Sequence, residues 1–239
     1  MSFFDNLPHY VIMAAVAAEV ADGNILNLIE KFLRAGVMEN GVFKPTTVGT
    51  PQGGVVSPLL ANIVLNHLDW ALHKHGYRFV RYVDDFVVLT PSKAQAKEAL
   101  ALVSQTLPQL GLQLSSEKTR ITTYGKSYSF LGFVLSSRSR RMRPKSVQKF
   151  QDKVRMLTTR HHNLDAAVIE KLNRVIRGTA QYFAPRWATT RRQMGRLDSW
   201  IRMRLRALKS KRKRETDNYR LPNRKLAQLG LMSLSQFCC

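Results

Sequence analysis

The sequence predicts two successive architectures: an α+β unit, in which a small antiparallel sheet packs with helices, and then an all-α basic helical bundle. Three observations predict this. Up to about residue 135, helix-like patterns alternate with short apolar, β-prone runs. Beyond residue 145, apolar residues recur at steps of three and four. The net charge of +22 lies entirely in the second half: residues 1–120 hold ten Lys/Arg and ten Asp/Glu, and residues 121–239 hold 28 against 6. Such asymmetry points to a polyanionic partner, nucleic acid or an anionic membrane surface. No apolar run approaches the roughly 20 residues of a membrane span.

Phe3-Phe4-Asp5-Asn6 resembles the end of a strand and a turn, and Pro8 then opens an alanine-rich helix. Val11–Ala18 is apolar enough to imitate a signal peptide, but the segment before it has Asp5 and no Lys or Arg, the wrong charge. A cytoplasmic protein is expected. Cys238 and Cys239, together at the C-terminus, fit neither a disulfide framework nor a zinc site, which agrees with a reducing compartment. The first helix is expected to end near Gly23-Asn24, and a second, from Ile25 to Leu33, to stop at Gly36. Val37 to Val48 alternates and turns at Asn40-Gly41, a hairpin signal.

Gly49-Thr50-Pro51-Gln52-Gly53-Gly54-Val55-Val56-Ser57-Pro58 is a glycine-rich loop where backbone can approach a ligand. Ser57 as cap and Pro58 in the first turn predict a helix to about Lys74, with Leu60, Ile63, Val64, Leu68 and Leu72 as its apolar stripe. A glycine-rich turn opening a helix can hold phosphate on backbone N–H groups, although such turns are common.

Arg81-Tyr82-Val83-Asp84-Asp85-Phe86 lies between apolar runs that read as two strands, with the paired carboxylates at the turn. Asp favours turns because it caps local backbone. Clustered carboxylates also bind Mg²⁺, which takes hard oxygen ligands and assists phosphoryl transfer. Both readings stand on the pair alone. Ser92 and Gln95 resemble a capping box opening a helix to about Leu107. Phe130 to Leu135 reads as one further apolar strand.

Residues 136–145 change character, with Arg138, Arg140, Arg141, Arg143 and Lys145 in ten positions, and read as a basic linker. Helices are expected at roughly 146–161, 165–184 and 190–210. The second has Ile169, Leu172, Ile176, Ala180 and Phe183 on one face, with Lys171, Arg174 and Arg177 elsewhere. The third has Met194, Leu197, Ile201, Leu205 and Leu208 as a stripe, with Arg192, Arg196, Arg202, Arg204 and Arg206 on its other faces. Charged faces are commonly just solvated, but so little acid accompanies these that phosphate contact is favoured.

These motifs, in this order and over nearly the whole chain, resemble the reverse transcriptases encoded by group II introns. Tyr82-Val83-Asp84-Asp85 looks like the family's palm hairpin, and Pro51-Gln52-Gly53 within its longer loop is the most specific match. The resemblance implies a polymerase palm over residues 1–135 without fingers, the basic linker 136–145, a maturase (thumb) helical domain over 146–214 and a tail over 215–239. It implies metal binding by Asp84 and Asp85, nucleotide contact by Phe4, Pro51, Gln52, Gly53 and Tyr82, and pyrophosphate neutralisation by Lys118 beside Leu110-Gly111-Leu112. An exposed lysine in a turn is the plain alternative for Lys118. Leu131 and Gly132 resemble the primer-holding strand, and Arg177-Gly178 with Tyr182-Phe183 resemble the maturase helices. Arg138, Arg140, Arg141, Arg143, Lys171, Arg174, Arg177, Arg192 and Arg196 are the expected RNA contacts.

The implied activity is RNA-directed DNA synthesis with two Mg²⁺ ions and deoxynucleoside triphosphates, on an RNA (group II intron) partner and a DNA primer or target, with no membrane. One departure matters. The family's first catalytic motif carries a metal-binding Asp six residues before the position of Asp5, and that carboxylate is not in this chain. The sequence is therefore expected to be a C-terminal part of the enzyme with an incomplete metal site and weak or no activity alone. An RNA-binding maturase that assists intron folding without chemistry is the alternative function. No DNA-cleaving His/Asn or zinc cluster follows the basic helices, so no endonuclease domain is expected.

Overall fold

The computed structural model describes residues 7–39, 42–44, 49, 54–159, 163–211 and 217–238, with backbone alone for 37–39 and 42–44. It divides into two compact units, Met1–Ile121 and Thr122–Cys239. The fold is α+β in the first unit, and in the second a helical bundle carries a three-stranded sheet.

The first unit contains α1 (His9–Ala17), α2 (Gly23–Arg34), β1 (Val37–Glu39), β2 (Val42–Lys44), α3 (Ser57–Lys74), β3 (Arg78–Tyr82), β4 (Asp85–Leu89) and α4 (Lys93–Thr106). The single small sheet expected here is two separate antiparallel hairpins, β1-β2 and β3-β4. The first helix ends at Ala17, short of Gly23, because the Asp22 carboxylate caps α2 by accepting from the N–H groups of Asn24 and Ile25. Ser57 is the first helical residue rather than the cap, since Val56 already has helical dihedrals (φ −86°, ψ −22°). Ser92 does cap α4, accepting from Gln95 N at 3.2 Å. The core joins Leu7, Ile12 and Val16 to Leu60, Leu68 and Leu72 of α3 and Val103 of α4, all buried. Phe79, Phe86 and Val88 bring the β3-β4 hairpin onto it. The expected turn at Asn40-Gly41 lies outside the described residues.

The second unit opens with β5 (Tyr128–Phe130), β6 (Phe133–Leu135) and β7 (Arg140–Met142), an antiparallel sheet in the order β5-β6-β7. Two expectations change here. Phe130–Leu135 is two strands joined by the two-residue turn Leu131-Gly132, whose φ values of 46° and 81° suit a tight hairpin of twisted strands. Residues 136–145 are no linker: β7 pairs with β6, and α5 (Pro144–Leu157) has already begun. Period-2 alternation hid behind the arginines, with Met142 buried and Arg141 exposed.

Helices α6 (Ala166–Phe183) and α7 (Arg191–Ser210) fall where the sequence places them, whereas α5 starts two residues earlier than expected and ends at Leu157 instead of near 161. The apolar residues named for α7 are all buried, as are Ile169, Leu172, Ile176 and Ala180 of α6. The segment 217–238 folds as α8 (Asp217–Arg220), α9 (Asn223–Gln228) and a 3-10 turn, Leu234–Phe237, whose Leu234 joins the bundle core.

Candidate active site and nucleic-acid surface

Strand β3 alternates, with Phe79 and Arg81 turned inward and Val80 and Tyr82 outward. A charged side chain on the inner face must find partners. Arg81 donates through Nε to Oδ1 and through Nη2 to Oδ2 of Asp69 in α3, while its Nη1 donates to Asn62 Oδ1 and to the backbone carbonyl of Val83. The arginine side chain is 10% exposed. This two-pronged ion pair has the fork geometry that makes arginine–carboxylate contacts directional.

Tyr82 pairs with Asp85, which leaves Val83-Asp84 as a two-residue turn. Val83 sits at φ 57°. That is the left-handed region, costly for a β-branched residue, at the loop position where such hairpins take glycine. The carbonyl held by Arg81 belongs to this residue, so the pair Arg81–Asp69 fastens the strained turn to α3.

Asp84 and Asp85 are exposed, and neither carboxylate accepts a hydrogen bond or meets a cation among the described residues. Arg81, on the adjoining strand, is committed to Asp69. Backbone capping, the bland explanation of turn aspartates, has no support among the described residues, and the two carboxylates are hard-oxygen donors, a type that fits Mg²⁺. Among the described residues no group of three or more His, Cys, Asp or Glu gathers, so the described donors are these two.

Phe4, Pro51, Gln52 and Gly53 lie outside the described residues. At the edge of their loop, Gly49 is held at φ 87° by its N–H to Leu7 O (2.9 Å) and by His9 Nε2–H to its carbonyl (2.7 Å). Tyr82 is exposed beside the carboxylates. Lys118 is exposed in a turn in which Thr119 N donates to Ser115 O, and its ammonium has no described partner. Leu131 and Gly132 form the β5-β6 turn in the second unit.

The expected RNA contacts divide. Arg138, Arg141, Lys171, Arg174, Arg177, Arg192 and Arg196 are exposed. Arg174 pairs with Glu170 one helical turn away, and Arg177 lies 3.9 Å from Met232 Sδ. Arg140 and Arg143 are half-buried, each with a buried Nε that has no hydrogen-bond partner among the described residues. On α7, Arg204 bonds Thr158 and stacks on Trp200, and Arg206 bonds Leu221 O and Asn223 Oδ1. Burial, helped by the neighbouring Arg155 and Arg202 respectively, holds the guanidinium pKa of Arg204 and Arg206 below the ordinary value.

Sequence reasoning missed Asp69, Asn62 and the anchoring role of Arg81. The available signal was period-2 spacing, which puts Arg81 on the same face as Phe79.

The family model for reverse transcriptase (RNA-dependent DNA polymerase) matches residues 1–135, and that for the group II intron maturase-specific domain matches residues 147–226. The chain belongs to the reverse transcriptase family, and within it to the group II intron reverse transcriptase/maturase type.

Among curated relatives, protein YkfC of Escherichia coli is 30% identical over 175 residues, covering 58% of this chain and 46% of that protein. The group II intron-encoded protein LtrA of Lactococcus lactis is 36% identical over 107 residues, covering 45% of this chain and 18% of its own length. The match thus spans less than half of either relative. A solved structure of telomerase from Candida albicans with a telomeric RNA fragment aligns over 95% of this chain and 45% of that chain, at 17% identity and TM-score 0.47. No helix among the described residues is long and apolar enough to cross a membrane.

Proposed function

We propose that the chain carries part of an RNA-directed DNA polymerase centre in its first unit and an intron-RNA-binding surface in its second. The observation that carries the reading is the Val83 turn: a β-branched residue at φ 57°, with its carbonyl held by Arg81, presents two carboxylates that have no partner among the described residues. Strain of this kind persists only where the surroundings over-determine it, and it clusters at functional sites.

Asp84 and Asp85 would hold Mg²⁺, in a two-metal arrangement by family resemblance. Bound there, the metal supplies charge stabilisation to the attacking and leaving oxygens of nucleotide addition. The chain's own residues position the reactants. Arg81 and Asp69 keep the carboxylates on a fixed turn, and Tyr82 offers a ring beside them. Pro51, Gln52, Gly53 and Phe4 are assigned to the deoxynucleotide on motif alone, and Lys118 to its pyrophosphate. Leu131 and Gly132 are assigned to the DNA primer. The exposed arginines, led by Arg138, Arg141, Arg174, Arg177, Arg192 and Arg196, are assigned to RNA phosphates, whose contact releases counterions.

Manganese, a spin-active stand-in for magnesium, tests the first unit. Electron paramagnetic resonance of Mn²⁺ titrated into the protein should show a bound population that Asp84→Asn and Asp85→Asn each diminish. Undiminished Mn²⁺ binding by both variants would overturn the assignment.

A further inference from the structure

Phe133 of β6 is buried, and three aromatic rings surround it: Phe183 at 4.9 Å between centroids, Trp187 at 5.1 Å and Tyr182 at 5.7 Å. Two of the three are not buried: Tyr182 is 52% exposed and Trp187 is 50% exposed. Large aromatic rings left half in water beside a packed cluster are surface features that core packing alone does not require.

Both rings are held firmly. Tyr182 Oη donates to Leu131 O at 2.9 Å, which ties α6 to the β5-β6 turn. That turn is itself pinned, because Arg143 N and Ser146 Oγ both donate to Gly132 O. A Cβ on Gly132 would stand 3.2 Å from the Phe183 ring and from Ser146 Oγ, at a backbone φ of 81°, so glycine is what permits this approach. The loop bearing Trp187 is strapped to β7, where Thr189 N donates to Arg140 O and Arg140 N donates to Thr189 Oγ1, both at 2.9 Å. The rings are therefore preorganised, which lowers the ordering cost of binding.

The chain around them is strongly basic. Arg186 precedes Trp187, Arg191 and Arg192 open α7, and all three are exposed. From Thr122 to Arg192 there are 16 Lys/Arg against 3 Asp/Glu, which favours an anionic ligand over an acid-seeking or purely apolar one. Rigid aromatic faces within a cationic surface are the combination that takes unpaired bases by stacking.

We propose that Tyr182 and Trp187 form a stacking platform for an unpaired base of a single-stranded nucleic acid whose backbone meets the neighbouring arginines. The inference rests on the nucleic-acid reading of the second unit and adds a base-contacting site to it.

The test is fluorescence anisotropy of the full chain with a labelled single strand of about a dozen nucleotides, beside a strand of equal length whose central positions are abasic. The wild-type protein should prefer the intact strand by about five- to a hundredfold for one stacked base. Trp187→Ala should lose most of that preference while its salt dependence stays unchanged, and Trp187→Phe should restore it. Trp187 is half-exposed, and an unchanged melting curve certifies the fold of each variant. Equal binding of both strands by the wild type, or undiminished preference in a folded Trp187→Ala protein, overturns the platform alone. Failure to bind either strand while structured RNA still binds overturns the platform alone; failure to bind the strands and structured RNA alike overturns the nucleic-acid reading and the platform with it.

Discussion

Arg81 and Asp69, twelve residues apart in sequence, meet in a two-pronged ion pair whose arginine also holds the carbonyl of Val83. The strand and the helix that carry them are thereby locked together at the base of the acidic turn. Arg81→Leu should destabilise the protein by about 1–3 kcal/mol, because Asp69 and the Val83 carbonyl lose a largely buried partner. Arg81→Lys should recover part of the stability but not the fork. The paired change Arg81→Met with Asp69→Leu should melt closer to wild type than either single variant, yet hold Mn²⁺ as weakly as Arg81→Leu. Restored Mn²⁺ affinity in that double variant would show that the pair stabilises the fold without positioning the carboxylates.

The bundle offers a comparison between core and surface on one helix. Leu172 is fully buried in α6, so Leu172→Ala should cost about 2–5 kcal/mol in denaturant unfolding. Two residues on, Arg174 forms an exposed pair with Glu170, both side chains more than half in water. Arg174→Ala should change stability by less than about 0.5 kcal/mol. A reversal of that order would contradict the assigned faces of α6.

Binding of structured RNA should report the exposed arginines through its salt dependence. Six or more phosphate contacts give a log–log slope near −5, and affinity falls on the order of a thousandfold between about 50 and 200 mM salt. Removing Arg174 and Arg177 together should shallow the slope by about 1.5, since each contact contributes roughly 0.7 to 0.9. Filter binding across a salt series, with anionic vesicles alongside, checks both figures. A flat salt response, or a double variant with an unchanged slope, would contradict the phosphate assignment.

Asp198, buried on α7, holds the C-terminal segment: it accepts from Ser233 Oγ and from the N–H groups of Leu234 and Ser235. Asn173 adds bonds to Gly230 O and from Met232 N. Asp198→Ala should release the 3-10 turn Leu234–Phe237 and lower stability by about 1.5–3 kcal/mol, the range for hydrogen bonds to a charged group. Hydrogen exchange at residues 231–238 should rise sharply in the variant and remain slow in the wild type.

That segment shows why part of the fold was not legible in sequence. The three long helices announce themselves through apolar stripes, as does the hairpin through Phe79, Phe86 and Val88. The C-terminal segment is held instead by bonds between distant residues, such as those of Asp198, whose partners lie 35 to 37 residues away, and no local pattern records such a bond. Strand β7 was hidden for a different reason: two of its three residues are arginines, one of them half-buried on the face of Met142, so charge masked the alternation that ends in buried Met142. The turn at Leu131-Gly132 escaped because leucine at positive φ is a poor turn signal, tolerated where Tyr182 and Ser146 hold the surrounding carbonyls. For the candidate site, the paired aspartates were conspicuous, while the Arg81–Asp69 anchor appears only when α3 and β3 are brought together.

The central claim is that the Val83 turn exists to offer Asp84 and Asp85 to a divalent cation. Anomalous diffraction from crystals of this protein equilibrated with Mn²⁺ tests it most directly. The account predicts an anomalous peak at coordinating distance from carboxylate oxygens of Asp84 and Asp85, close to the roughly 2.0–2.1 Å of a Mg²⁺–oxygen bond. Saturating Mn²⁺ that leaves this turn without a peak, or that places its peaks only at other carboxylates, would contradict it.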